Sequence, residues 1–185
     1  MDSYQDIRVL PDPEFKASIL LSALFAKLHR ALVAHGKGDV GVSFPGYEET
    51  TLGEVVRLHS ERAVLETLEA TGWRAGLNDY CTTSEVLPIP EIKSWRNVSR
   101  IQVKSSADRL LRRSVRKGWI TEEEAQQRVL NHQNQSCKLP FIQMKSLSSK
   151  QAFRLFIQHG EPQQSPSCGQ FSSYGLSAEA TIPWF

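Results

Sequence analysis

Arg109, Arg112, Arg113 and Arg116 recur three or four residues apart, and Lys117 directly follows the last of them. On a helix that spacing lines the guanidinium groups along one stripe, while Leu110, Leu111 and Val115 turn the other way. Guanidinium forks bind phosphate oxygens in pairs and give up water at less cost than an ammonium group does. The stripe suits the major groove of B-DNA, or an RNA stem opened near a loop or terminus, and charge alone does not separate the two. Arg100 and Gln102 stand two apart in a strand-like stretch, facing one way about 7 Å apart. Arginine can bond guanine through O6 and N7, and glutamine can bond adenine through N6 and N7. Two ordinary exposed polar residues would have the same pattern.

The five histidines, at 29, 35, 59, 132 and 159, form neither HxH nor HExxH nor a Cys/His cluster, so no metal site is expected. Cys81, Cys137 and Cys168 are odd in number and far apart, which argues against a disulfide framework and for reduced thiols in a cytoplasmic setting. His29 lies at the border of the apolar face of a helix. The plain reading is a boundary histidine bonded to a nearby carbonyl. An imidazole with the ordinary pKa of about 6.5 is also suited to removing a proton at neutral pH. RNA brings its own nucleophile, the 2′-hydroxyl, so its cleavage needs only a base and a positioning group.

The 185 residues, 40% hydrophobic and 23% charged, fit a folded chain rather than a disordered one. The longest apolar stretch, Ile19 to Leu32, is interrupted by Ser22, Lys27, His29 and Arg30, which predicts no membrane span. The N-terminus has neither the basic nor the apolar region of a secretory signal. A net charge of +2 hides an asymmetry. Residues 1–94 hold 9 Lys/Arg against 14 Asp/Glu, and residues 95–185 hold 13 against 6. Eight bases fall within 96–117 beside the single acid Asp108. That density lacks the interspersed acids of a solvated salt-bridged face and favours a nucleic-acid partner.

Periodicity predicts the elements that would position these groups. Tyr4–Leu10 alternates like a strand. Asp12 is expected to cap a helix carrying Leu21, Leu24, Phe25, Leu28 and Leu32 on one face, stopped at Gly36. Strands follow at Val40–Phe44 and Gly53–His59, a helix capped by Ser60 runs to Thr71, and a strand spans Leu77–Leu87. The order β-α-β-β-α-β predicts an α+β protein, with a ferredoxin-like N-terminal domain over residues 1–92. Pro88 to Ser94 reads as a linker. Residues 93–185 are expected to form a second domain that carries the nucleic-acid-binding residues, with a strand at Val98–Val103, the arginine helix from Asp108 to Lys117, a Thr121/Glu124 capping box, and strands at Leu139–Met144 and Ala152–Gln158; the resemblance described next makes it the RNA-binding domain.

Several separated motifs resemble one family in order along the whole chain. They are Tyr4 to Phe15, Lys27-Leu28-His29, Gly41 to Pro45, Val98-Ser99-Arg100 with Gln102, Phe153 to Ile157, Ser173-Tyr174-Gly175-Leu176-Ser177 and the terminal Pro183-Trp184-Phe185. Together they resemble the type I-F CRISPR repeat endoribonucleases. The resemblance implies a metal-independent, cofactor-free ribonuclease that cuts precursor CRISPR RNA at the base of the repeat hairpin and retains the crRNA 3′ stem-loop. It implies His29 as general base, Ser146 holding the 2′-hydroxyl with Ser148 as a weaker candidate, and Tyr174 orienting the histidine. By the same resemblance Arg100 and Gln102 read bases, Phe153 stacks on the closing pair, and Arg109, Arg112, Arg113, Arg116 and Lys117 follow the stem. Lys117 lacks the fork an arginine would offer there. Gly118 and Trp119 have no counterpart role. Other subunits of a type I-F effector complex are implied partners. Two alternatives share the basic residues: a non-catalytic stem-loop-binding cap, and a duplex-DNA binder.

Overall fold

Ile7 and Val9 alternate with Asp6 and Arg8, and in the computed structural model this stretch is β1 (Ser3–Val9), its odd residues buried and its even ones turned outward. Residues 1–101, 113–121, 124, 138–146 and 152–185 are described. After β1 come α1 (Ala17–His35), β2 (Gly41–Ser43), β3 (Val55–Ser60), α2 (Arg62–Ala70), a 3-10 turn (Asn78–Tyr80), β4 (Cys81–Thr83) and β5 (Leu87–Pro88). β6 (Ser94–Ile101), β7 (Phe141–Lys145), β8 (Ala152–His159) and β9 (Thr181–Trp184) complete the described strands. The molecule is an α+β protein with two sheets. One has the order β2-β3-β1-β4, with β5 also on β1; the other has the order β7-β8-β6-β9. Every ladder among the described residues is antiparallel.

Residues 1–101 and 139–185 form one compact unit and residues 102–138 another. The boundary expected at 92/93 falls inside the first unit, where both sheets share one core. Ile7, Val56 and Leu58 from the first sheet join Val98, Ile142, Leu155, Ile157 and Ile182 from the second. α1 contributes seven buried residues to that core, from Leu20 to Leu32, and it packs against β1, β3 and β7. By length and composition alone α1 is apolar enough to cross a bilayer, although polar interruptions predict otherwise. Its apolar face lies in the protein core.

Local chemistry explains where the elements differ from expectation. Asp12 does not cap α1. Its Oδ1 accepts the N–H groups of Glu14 and Phe15 at 2.8 and 2.9 Å, closing a separate turn before the helix begins at Ala17. Ser60 does not cap α2 either. Its hydroxyl donates to the Asp39 carbonyl at 2.8 Å, and the carboxylate of Asp2 accepts the Arg62 N–H at 3.1 Å. Gly36 ends α1 with φ −75° rather than in the left-handed region. A Cβ there would meet the Leu32 carbonyl oxygen at 2.6 Å, so close approach selects the glycine. The strand expected across Leu77–Leu87 is broken into the 3-10 turn, β4 and β5. The expected linker is anchored, with Ile89 N–H bonded to the Asp2 carbonyl and Lys93 N–H to that of Trp184, each at 2.9 Å.

Candidate active site

His29 occupies the last two turns of α1 and is half-buried. Its Nδ1 lies 2.9 Å from the carbonyl oxygen of Ser173. A carbonyl can only accept, so the ring proton of this bond sits on Nδ1 and the neutral imidazole keeps its lone pair at Nε2. The Tyr174 ring stacks on the imidazole, with centroids 4.1 Å apart and planes 11° from parallel. Phe25, one helical turn earlier, lies parallel to the same tyrosine at 6.4 Å. Stack and hydrogen bond together fix the plane and the tautomer of the histidine.

The backbone around Tyr174 is built to hold that ring. Gly175 has φ +69°, and a Cβ on it would run into Val42 Cγ2. Its carbonyl accepts the Val42 N–H at 2.8 Å, tying the turn to β2. Ser172 N–H donates to the Leu176 carbonyl at 2.9 Å, and Ser177 N–H to that of Val98 at 2.8 Å, tying it also to β6. Leu176 is buried. The Tyr-Gly-Leu-Ser motif thus combines a displayed ring, a close backbone approach, a core anchor and a strand contact. On the far side of α1, Lys27 Nζ donates to the Ala75 carbonyl at 2.7 Å, which accounts for the lysine two residues before the histidine.

Arg100 is exposed near the end of β6. Its guanidinium carbon is 5.8 Å from the centroid of the Phe153 ring and 6.0 Å from that of Tyr174, within cation–π range. The structure therefore brings His29, Tyr174, Arg100 and Phe153 into one chain of contacts. Ser146 directly follows β7 and is half-buried; it stands next to Lys145, which pairs with Ala152 beside Phe153. Arg113 and Arg116, in helical backbone, and Lys117 after them are exposed. Gln102, Arg109, Arg112 and Ser148 lie outside the described residues.

The two buried histidines among the described residues are occupied differently. His59 Nε2 lies 2.8 Å from the Ser43 hydroxyl, and His159 Nε2 accepts the Phe44 N–H at 3.3 Å. Burial, reinforced by Arg57, pushes His59 down to about 3. Burial and then Arg96 push His159 down to about 4. Among the described residues no three His, Cys, Asp or Glu side chains converge as metal ligands would. Sequence reasoning missed Ser173 as a partner, because its contribution is a backbone carbonyl that carries no side-chain signal. Phe25 was legible only as a core residue.

A helix histidine held in one tautomer, with an arginine and two aromatic faces beside it, can withdraw a proton next to a bound anion or base. Such a grouping on an α+β scaffold has the parts that acid–base chemistry requires. Residues 4–185 match the family described as CRISPR-associated protein (Cas_Csy4), and the chain belongs to that family, as its motifs imply. It is 60% identical over 185 residues to the CRISPR-associated endonuclease Cas6/Csy4 of Escherichia coli (strain UTI89 / UPEC). It is 44% identical over 187 aligned positions to the protein of the same name from Pseudomonas aeruginosa (strain UCBPP-PA14). Both alignments cover 100% of each chain.

Proposed function

We propose that this protein is an endoribonuclease that cuts precursor CRISPR RNA at the base of the repeat hairpin, using the RNA's own 2′-hydroxyl as nucleophile. Two full-length relatives named as CRISPR-associated endonucleases support the general activity. The observation that carries the mechanism is the hydrogen bond from His29 Nδ1–H to Ser173, under the Tyr174 stack, which leaves Nε2 as the free base.

In this reading Nε2 takes the proton of the 2′-hydroxyl, and the resulting alkoxide attacks the adjacent phosphorus. The bond from phosphorus to the 5′-oxygen breaks, that oxygen takes a proton from water, and the imidazolium of His29 returns its own proton to solvent. The products are a 2′,3′-cyclic phosphate upstream, which water can open to a 3′-phosphate, and a 5′-hydroxyl downstream. Ser146 holds the 2′-hydroxyl. Arg100 bonds the base preceding the cut, with Gln102 reading its neighbour, and Phe153 stacks on the closing pair. The arginines from Arg109 to Arg116, with Lys117, grip the stem phosphates. No step calls for a metal, because base and nucleophile come from the protein and the RNA. The cleaved stem-loop stays bound and joins the protein to an effector complex.

The test is His29→Ala on a labelled repeat hairpin, with and without EDTA. The variant is expected to bind within about twofold of wild type and to cleave at least about a hundredfold more slowly, the share a general base supplies. Wild-type cleavage is expected to survive EDTA. Undiminished cutting by the variant, or loss of cutting on chelation, overturns the mechanism.

A further inference from the structure

Trp119 has no part in these roles, yet at 69% exposure it is the most exposed large apolar side chain among the described residues. Its backbone is tightly held. Helical residues 113–116 end through Gly118 at φ +71°. Trp119 N–H donates to the Ser114 carbonyl at 3.0 Å and Gly118 N–H to that of Val115 at 2.9 Å, the paired bonds of a Schellman stop. Just beyond, Thr121 and Glu124 exchange capping-box bonds of 3.0 and 3.2 Å.

In such a stop, the residue at the Trp119 position often covers an apolar side chain in the last helical turn. Here those positions are Ser114 and Arg113, and the indole is left in solvent. One face of the ring carries Lys117 Nζ, 4.5 Å from its centroid. Arg113, Arg116 and Lys117 are all exposed in the same segment. A flat aromatic face set among cations matches a polyanion that also offers flat rings, which is nucleic acid; an apolar protein partner would leave those charges unpaired.

We propose that Trp119 is a stacking platform for an unpaired nucleobase in the loop of the repeat hairpin. The inference rests on the reading of the arginine helix as the stem-binding element. Bases within a stem have both faces covered, so free faces occur at its two ends. Arg100, Phe153 and His29 account for the cut end, which leaves the loop for Trp119.

The experiment measures binding of wild type, Trp119→Ala and Trp119→Phe to a synthetic repeat hairpin and to the same hairpin with abasic loop positions. Wild type is expected to bind the abasic hairpin about tenfold more weakly than the intact one, the size of one stacked base. Trp119→Ala should lose about tenfold on the intact hairpin and nothing further on the abasic one, with an unchanged salt slope. Trp119→Phe should recover most of the loss. Equal binding of the intact hairpin by wild type and Trp119→Ala overturns the proposal, as does an equal loss by that variant on both hairpins. A wild-type protein that neither binds nor cuts the intact hairpin defeats the functional reading itself, a result distinct from either of these.

Discussion

At the scale of single residues, the bond that His29 makes to a carbonyl is what leaves its second nitrogen open for the proton transfer proposed above. Donation from Nδ1 to Ser173 commits the proton to one nitrogen, and the Tyr174 stack keeps the other from turning away. Tyr174→Phe preserves the ring and should cleave within about twofold of wild type. Tyr174→Ala should slow cleavage about five- to tenfold, the worth of one aromatic contact, with hairpin affinity little changed. A single-turnover assay alongside a binding titration reads both, and equal rates for the two variants would remove the tyrosine from any positioning role. In the proposed function Arg100 reads a base and Arg113 grips a phosphate, and the two roles are separable. Arg100→Ala should cost about 1–3 kcal/mol against one base identity only. Arg113→Ala should weaken every hairpin alike and flatten the salt dependence of binding by roughly one phosphate contact. The position of His29 on an apolar border was legible from helical spacing, as was the possibility of a carbonyl partner. Which carbonyl was not legible, because Ser173 is 144 positions away and contributes no side chain.

At the scale of elements, the turn from Ser172 to Ser177 sets the precision of the site. Gly175 there needs both a left-handed backbone and room against Val42, conditions that a methyl group violates together. Gly175→Ala is therefore expected to lose about 2 kcal/mol or more of stability in urea unfolding, and to cut more slowly than that loss explains because Tyr174 is displaced with the turn. An unchanged unfolding midpoint would show that β2 yields easily and that the turn is not held by it. Hydrophobic periodicity exposed the strand and helix types well, since Ile7, Val9, Leu24 and Leu28 bury as their spacing requires. It failed where polar side chains choose between partners. Asp12 closes a turn instead of a helix, and a distant Asp2 serves α2 where the adjacent Ser60 was expected. The stretch from Leu77 to Leu87 read as one last strand before Pro88 and Pro90, yet Asn78 and Asp79 begin a 3-10 turn.

At the scale of the whole molecule, the two buried histidines meet the site through β2. His59 reaches Ser43 at the end of this strand, and His159 accepts the N–H of the next residue, Phe44. Val42, one residue before Ser43, bonds the turn that carries Tyr174. Protonating His159 would place an Nε2–H against the Phe44 N–H, two donors face to face, inside a pocket of Tyr47, Phe44 and Trp184 rings. The charge would also meet Arg96, as a charge on His59 would meet Arg57. Folding holds these imidazoles neutral down to about 4 and about 3 respectively, whereas in the unfolded chain they take protons near 6.5. As pH falls below about 6.5 the unfolded state binds the additional protons, so stability declines toward roughly 1.4 kcal/mol per pH unit for each histidine. Asp2, whose carboxyl is held below its ordinary value chiefly by its hydrogen bond with Ser3, titrates outside this window. Urea unfolding should therefore show a loss of about 3–4 kcal/mol between pH 7 and pH 5. His159→Gln, which keeps an acceptor for Phe44 but cannot charge, should remove about half of that slope, and a second substitution, His59→Gln, most of the remainder. A double variant as acid-sensitive as wild type would show that the loss arises elsewhere.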